Sequence, residues 1–247
     1  MKYFAKIKYL GSNFCGFQVQ PQMRTVQGEL CKALSLAFGV PTKVTGCSRT
    51  DSGVHANEFC CTIENEGGTI PPDKLPVAVS RFLPNDLSLF YAENCDPEFH
   101  PRYDVVSKEY LYRVVNSPIY DPFYFGRAWF LPRKITEEGF IRMEKAAKHL
   151  LGKKDFSSFM SAGSDTEDTV REIFYIKIQR IGQEIDFYIC ADGFLYNMVR
   201  IIVGTLVECA FGRFEPDVFP SIIKSADRAS SGMTAPAEGL YLNKVNY

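Results

Sequence analysis

The chain has 247 residues, 46% of them apolar and 23% charged, a balance that supports a folded core and excludes a disordered or low-complexity protein. A net charge of −1 excludes a uniformly basic nucleic-acid binder, and no apolar run reaches the roughly 20 residues of a membrane-spanning helix. Residues 1–9 alternate like a strand and lack the apolar core of a signal peptide, so a cytoplasmic protein is expected. The eight cysteines form no Cys-x-x-Cys pair and the three histidines add no ligand spacing, which predicts small buried hydrophobes and no metal site.

Residues 2–10 read as a strand with Tyr3, Ala5, Ile7 and Tyr9 on one face. Thr25 can cap a helix in which Val26, Leu30, Ala33, Leu34, Ala37 and Phe38 recur at helical spacing, before Gly39 and Pro41 stop it. A strand at 42–47 runs into a polar turn, and 57–63 reads as the returning strand. A helix at 73–82 and a strand at 87–92 complete a β-α-β-β-α-β order, the ferredoxin-like arrangement that RNA-recognition modules also use. Residues 96–102 form a proline-containing bridge. Beyond it come a strand at 105–115 and a helix capped by Thr136, with Phe140, Met143, Ala147, Leu150 and Leu151 as apolar positions and Gly152 at its end. Strands near 170–180 and 184–191 form a hairpin around Ile181-Gly182-Gln183, followed by helices at 195–210 and 216–226 and a strand at 240–245. The expected class is α+β with two similar subdomains of mainly antiparallel sheet, residues 1–100 and 101–247.

Chemistry concentrates in the turn Gly46-Cys47-Ser48-Arg49-Thr50-Asp51-Ser52-Gly53-Val54-His55-Ala56. It sets one carboxylate between an arginine and a glycine hinge on a loop between strands, where sites are commonly built, although composition alone fits an ordinary Asp-Ser-Gly turn. Arg200, beside Met198 and Ile201-Ile202-Val203, reads as partly buried, and a buried arginine needs a partner. Tyr110 and Tyr112 share one face of a strand, open to a core role or to a stacking role. Residues 100–154 carry eleven Lys and Arg against six Asp and Glu, enough either to neutralise phosphates or to form a solvated face.

The residues 49–56 resemble the signature of the tRNA pseudouridine synthase A family, Gly-Arg-Thr-Asp-Ala-Gly-Val-His-Ala, with Ser48 and Ser52 replacing its first Gly and its Ala. Further matches follow in the family's order: Gly16-Phe17-Gln18 with Thr25-Val26-Gln27, Arg81-Phe82-Leu83-Pro84, and Phe99-His100-Pro101-Arg102. Lys108-Glu109-Tyr110-Leu111-Tyr112-Arg113, Asp155-Phe156-Ser157-Ser158-Phe159, Asn197-Met198-Val199-Arg200-Ile201-Ile202-Val203-Gly204 and Ala235-Pro236-Ala237-Glu238-Gly239-Leu240 complete a nearly end-to-end resemblance.

The resemblance implies the pseudouridine synthase fold, two ferredoxin-like subdomains flanking a central active-site cleft, with the Asp loop on the first. It implies isomerisation of uridine to pseudouridine in the tRNA anticodon stem-loop, at positions 38, 39 and 40, by a homodimer that needs no cofactor. Asp51 stands where the family has its nucleophile, Arg200 where it has the arginine paired with that Asp, and Tyr110 where it has the tyrosine stacked on the target base. Arg49 matches the arginine that fills the space of the extruded base, and Leu240 a leucine lining the uracil pocket. His55 is expected to bond locally or meet RNA. Arg24, Lys108 and Arg113, with Arg102, Lys153 and Lys154, would feed a basic cleft. Two other readings stay open, the same chemistry on another RNA and a non-catalytic RNA-binding or chaperone protein; a nucleoside hydrolase stands behind both.

Overall fold

In the computed structural model, which describes residues 1–163 and 166–247, the chain begins with β1 (Lys2–Tyr9), α1 (Val26–Phe38), β2 (Thr42–Gly46), β3 (His55–Asn65), α2 (Leu75–Ser80) and β4 (Leu87–Asn94). It continues through β5 (Ser107–Val115), β6 (Trp129–Phe130), α3 (Glu137–Lys148), β7 (Gly152–Asp155), β8 (Val170–Ile181) and β9 (Glu184–Ala191), then α4 (Met198–Ala210), α5 (Phe219–Ser225) and β10 (Leu240–Asn246). Two units result, Met1–Val106 with Tyr241–Tyr247, and Ser107–Leu240.

In the first unit β1 lies between β4 and β3, antiparallel to both. The other edge of β3 is shared: β2 pairs antiparallel with residues 61–65, while Tyr241 and Leu242 of β10 pair in parallel with His55 and Ala56. The order β4-β1-β3-β2 is ferredoxin-like. Alternation sets its core, because Tyr3, Ala5, Ile7 and Tyr9 are all buried. The Thr25 hydroxyl accepts the Gly28 N–H at 3.3 Å, and the Gly39 N–H ends α1 on the Ser35 carbonyl.

In the second unit β5, β9, β8 and β7 form an antiparallel sheet in that order, with β6 parallel to β5. The Thr136 hydroxyl caps α3 by accepting the Gly139 N–H at 3.1 Å. Helix α4 is buried nearly all round, so its sequence is apolar on every face.

The mixed α+β, mainly antiparallel architecture is the one expected. Differences lie at its edges. The strand read at 57–63 runs from His55 to Asn65, since the turn before it closes at Val54 and the Met1 ammonium donates to the Asn65 carbonyl at 2.8 Å. The helix read from 195 starts at Met198, because Asn197 takes a left-handed conformation (φ 59°) that ends the preceding turn. Strands β6 and β7 were not expected at all. Residues 241–247, expected to close the 101–247 subdomain, group instead with the first unit through the pairing of β10 with β3.

All eight cysteines are free thiols and five are buried. Burial pushes the Cys61 thiol far up and the Cys209 thiol to about 11, which leaves both protonated and unreactive at neutral pH. Among the described residues no group of His, Cys, Asp and Glu could hold a metal ion, and no helix is long and apolar enough to cross a membrane.

Arg24 grips Asp86 with two hydrogen bonds of 2.9 and 2.8 Å. These bonds hold the Asp86 carboxyl below the usual carboxylate range. A depressed carboxyl stabilises the fold above its unfolded-state value and loses that contribution as pH falls through the folded value. Asp86→Asn should therefore cost about 1 kcal/mol at neutral pH. In urea titrations the gap to wild type should hold steady from pH 7 to 5 and close below about pH 4; a constant gap at all pH would contradict the assignment.

Candidate active site

Asp51 sits on the turn between β2 and β3, half-buried, with its neighbours fixed from several sides. The Thr50 carbonyl accepts the Phe17 N–H at 3.1 Å, and the buried Thr50 hydroxyl meets the Tyr9 hydroxyl at 2.8 Å. The Phe14 carbonyl takes both the Ser52 hydroxyl at 3.2 Å and the Gly53 N–H at 3.4 Å. The Asp51 carbonyl closes the turn by accepting the Val54 N–H at 3.2 Å. His55, fully buried, accepts the Gly11 N–H on Nδ1 at 2.8 Å and stacks on Tyr241 with centroids 4.5 Å apart. The segment 11–17 is thus a brace for the Asp51 turn.

That brace needs Gly16. Its φ is +83°, and a Cβ there would lie 2.7 Å from the Thr50 carbonyl oxygen. The Gly16 and Phe17 carbonyls also accept the first N–H groups of α1, from Val26 and Gln27 at 3.2 and 2.9 Å, so one short block serves both a helix start and the Asp51 turn. Arg49, one residue from this anchor, is exposed.

In the second unit, Arg200 lies in the first turn of α4 and is half-buried. Its Nε donates to the Ala235 carbonyl and its Nη1 to Asn197 Oδ1, both at 2.7 Å. The Ala235 N–H returns a bond to the Arg200 carbonyl at 3.1 Å. Helix α4 is fastened to the strap at 231–236 here and again at Thr205, whose hydroxyl accepts the Gly232 N–H at 2.9 Å and donates to the Ile201 carbonyl at 2.7 Å. Gly204 makes the approach possible, since a Cβ there would lie 1.9 Å from the Met233 carbonyl oxygen.

The two strand tyrosines divide their roles. Tyr112 is fully buried, donates to the Pro236 carbonyl at 2.7 Å and meets Trp129 edge-on, while burial raises its phenol far above the ordinary range. That is a core tyrosine. Tyr110 is 8% exposed and meets Phe194 edge-on at 5.0 Å. Leu240 is buried where the strap enters β10. Tyr112→Phe should destabilise by about 1 kcal/mol in chemical denaturation, because the part-buried Pro236 carbonyl loses its partner; a neutral result would contradict this role.

The basic residues separate by partner. Besides gripping Asp86, Arg24 lies 3.4 Å from Glu29 and over the Phe14 ring, so it ties together the brace, α1 and the loop before β4. Arg113 is bound to Asp186 through Nε and Nη2 at 2.9 and 2.7 Å and lies 3.1 Å from Glu184. Both guanidiniums, although partly exposed, are engaged by carboxylates. Lys108 is half-buried on β5, level with Ala191. Reading by residue type missed Tyr9, Phe14, Asn197 and Ala235 as anchors, although Asn197 and Ala235 lie in matched blocks themselves and Tyr9 and Phe14 hold the turn of another.

The model of the tRNA pseudouridine synthase family matches residues 5–104 and 146–247. A protein of Acetivibrio thermocellus named tRNA pseudouridine synthase A is 40% identical over 242 residues, covering 98% of this chain and 97% of its own. Similarity of the same extent is found to tRNA pseudouridine synthase A 2 of Clostridium tetani, 36% identical with 98% and 97% covered, and to tRNA pseudouridine synthase A of Bacillus pumilus, 38% identical with 100% and 99% covered. A chain from the crystal structure of a Cbf5-Nop10-Gar1 complex aligns at a TM-score of 0.34 and 9% identity over 83% of this chain and 54% of that one, too distant to bear on function. With a family model spanning most of its length and relatives at this identity, the chain belongs to the tRNA pseudouridine synthase family.

Proposed function

We propose that the protein isomerises uridines at positions 38, 39 and 40 of the tRNA anticodon stem-loop with Asp51 as its nucleophile. The reaction breaks the C1′–N1 bond of uridine and joins C1′ to C5 of the same uracil. The C5 hydrogen leaves as a proton while N1 gains one, so atoms and electrons balance without a redox partner. The enzyme's task is to hold an electrophilic carbon while the base turns, which a carboxylate can do covalently.

The observation that carries the reading is the bracing of Asp51. With the Thr50 carbonyl and hydroxyl and the Ser52 and Gly53 donors all engaged, the turn enters the reaction already ordered. Tyr110 offers an aromatic face to a uracil taken out of its stack. Arg200, anchored through Nε and Nη1, is the proposed positive charge that favours an ionised carboxylate. Arg49 fills the space of the extruded base, Leu240 lines the uracil pocket, and Lys108 meets phosphate. The active species is a cytoplasmic homodimer with one tRNA across both subunits, which light scattering of the protein with and without tRNA would check.

The test of the function is product mapping on an unmodified anticodon stem-loop transcript. Pseudouridine at positions 38–40 supports the proposal. Product only in other cellular RNAs would favour the same chemistry on another target, free uracil a hydrolase, and tight binding with no product a binding protein.

A further inference from the structure

We propose that the turn at residues 100–104 is a nucleotide contact for the RNA substrate, with Tyr103 stacking an unpaired base and Arg102 meeting a phosphate; it rests on the RNA-modifying reading above. Tyr103 is 77% exposed, yet it is not loose. Its ring stacks on the His100 imidazole with centroids 4.2 Å apart and planes 29° apart. His100 is fixed in turn, because its Nδ1 accepts the N–H groups of Arg102 at 3.1 Å and Tyr103 at 3.3 Å. Asp104 locks the turn from the other side, accepting the His100 N–H on Oδ2 at 2.7 Å and donating its own N–H to the His100 carbonyl at 3.1 Å.

The base of the turn is tied into the first unit. The Pro101 carbonyl accepts the Tyr247 hydroxyl at 2.8 Å, and Phe99 meets Phe4 and Tyr247 edge-on at 5.7 and 5.0 Å. A solitary exposed aromatic is ordinary on a protein surface. An exposed aromatic with one face stacked, its backbone bonded and its other face open is a stacking platform whose ordering cost is already met.

Charge supports the same ligand. Arg24, Arg113, Arg142, Arg180 and Arg213 all pair with carboxylates. Among the described residues no ion pair engages Arg102, which is exposed. The turn's own carboxylate, Asp104, faces the His100 N–H. An arginine available to phosphate beside a rigid aromatic face matches one nucleotide of a single strand.

The contact lies away from the chemistry. Phe4, against Phe99, and Tyr9, against Thr50, are ends of one stretch of β1, roughly 17 Å apart at the rise of an extended strand. A nucleotide held there flanks the target and is not the target.

The experiment is binding of the unmodified stem-loop transcript to the Asp51→Asn protein with further substitutions, together with steady-state kinetics of the same substitutions in active protein. Tyr103→Ala should weaken RNA binding about tenfold and raise KM by a similar factor, with the loss confined to KM, while Tyr103→Phe binds like the parent. Arg102→Ala should lower the slope of log Kd against log salt by about 0.7 to 0.9, and Arg102→Lys should keep it. Thermal melts of these surface variants should match the parent. Tyr103→Ala within twofold of the parent, or a loss that falls on kcat, would overturn the contact. If the parent neither binds the transcript nor forms pseudouridine, the functional reading itself fails; if it does both and only the Tyr103 result is flat, this contact alone fails.

Discussion

Asp51→Asn is expected to form no measurable pseudouridine on the stem-loop transcript, a fall in kcat on the order of a thousandfold or more. The substitution keeps the size and shape of the side chain while removing the charge and most of its nucleophilicity. The bonds that set the path of the turn run through the Thr50, Asp51, Gly53 and Val54 main chain and through the Thr50 and Ser52 hydroxyls, and none of these atoms changes. The path of the turn should therefore be kept, the protein should fold, and RNA affinity should persist. A single-turnover assay with matched thermal melts checks both halves. Retention of a tenth of the wild-type rate would remove Asp51 from the role of nucleophile, whereas loss of folding would leave the assignment to Asp51→Ser, in which the same turn carries a neutral hydroxyl and activity should be equally absent.

Gly204→Ala should produce the largest loss of stability among single methyl additions in the second unit, about 3 kcal/mol. The added carbon would lie 1.9 Å from the Met233 carbonyl oxygen, so backbone has to move, not a flexible side-chain tip. Helix α4 is buried on nearly every face and cannot retreat without opening a gap behind it. The strap must give way instead, and with it the Ala235 carbonyl and N–H that hold Arg200. Activity should fall further than the folded fraction explains. Urea denaturation and kcat on the same preparation test this, and a destabilisation under about 0.5 kcal/mol would mean that the strap is not rigid there.

Much of the architecture is written locally. Alternation marks β1 because one face of that strand is buried, and Thr25, Gly39 and Thr136 mark helix ends because their caps are chemical events within four residues. What escapes is what depends on a distant partner. Gly152–Asp155, reading Gly-Lys-Lys-Asp, has no apolar alternation and is a strand only because residues 170–173 pair with it. Arg24 and Arg113 count as cations in any tally of charge, yet Asp86 lies 62 residues from one and Asp186 73 residues from the other, and only the fold brings them together. The site is legible in a similar way. Its blocks stand out as motifs, but the reasons for them do not: Gly16 is in its block because of the Thr50 carbonyl, and Asn197 in its block because of the Arg200 guanidinium.

The pairing of β10 with the start of β3 also sets an order of events in synthesis. The first unit receives its last strand only after all of Ser107–Leu240 has been made, so a nascent chain carries the Asp51 turn for 190 residues before Tyr241 arrives to stack on His55 at its foot. During that interval the ribosome-bound protein holds the Asp51 turn on an unfinished sheet. Synthesis of β10 thus becomes the step that completes the support beneath the turn, and a chain released before Tyr241 lacks it.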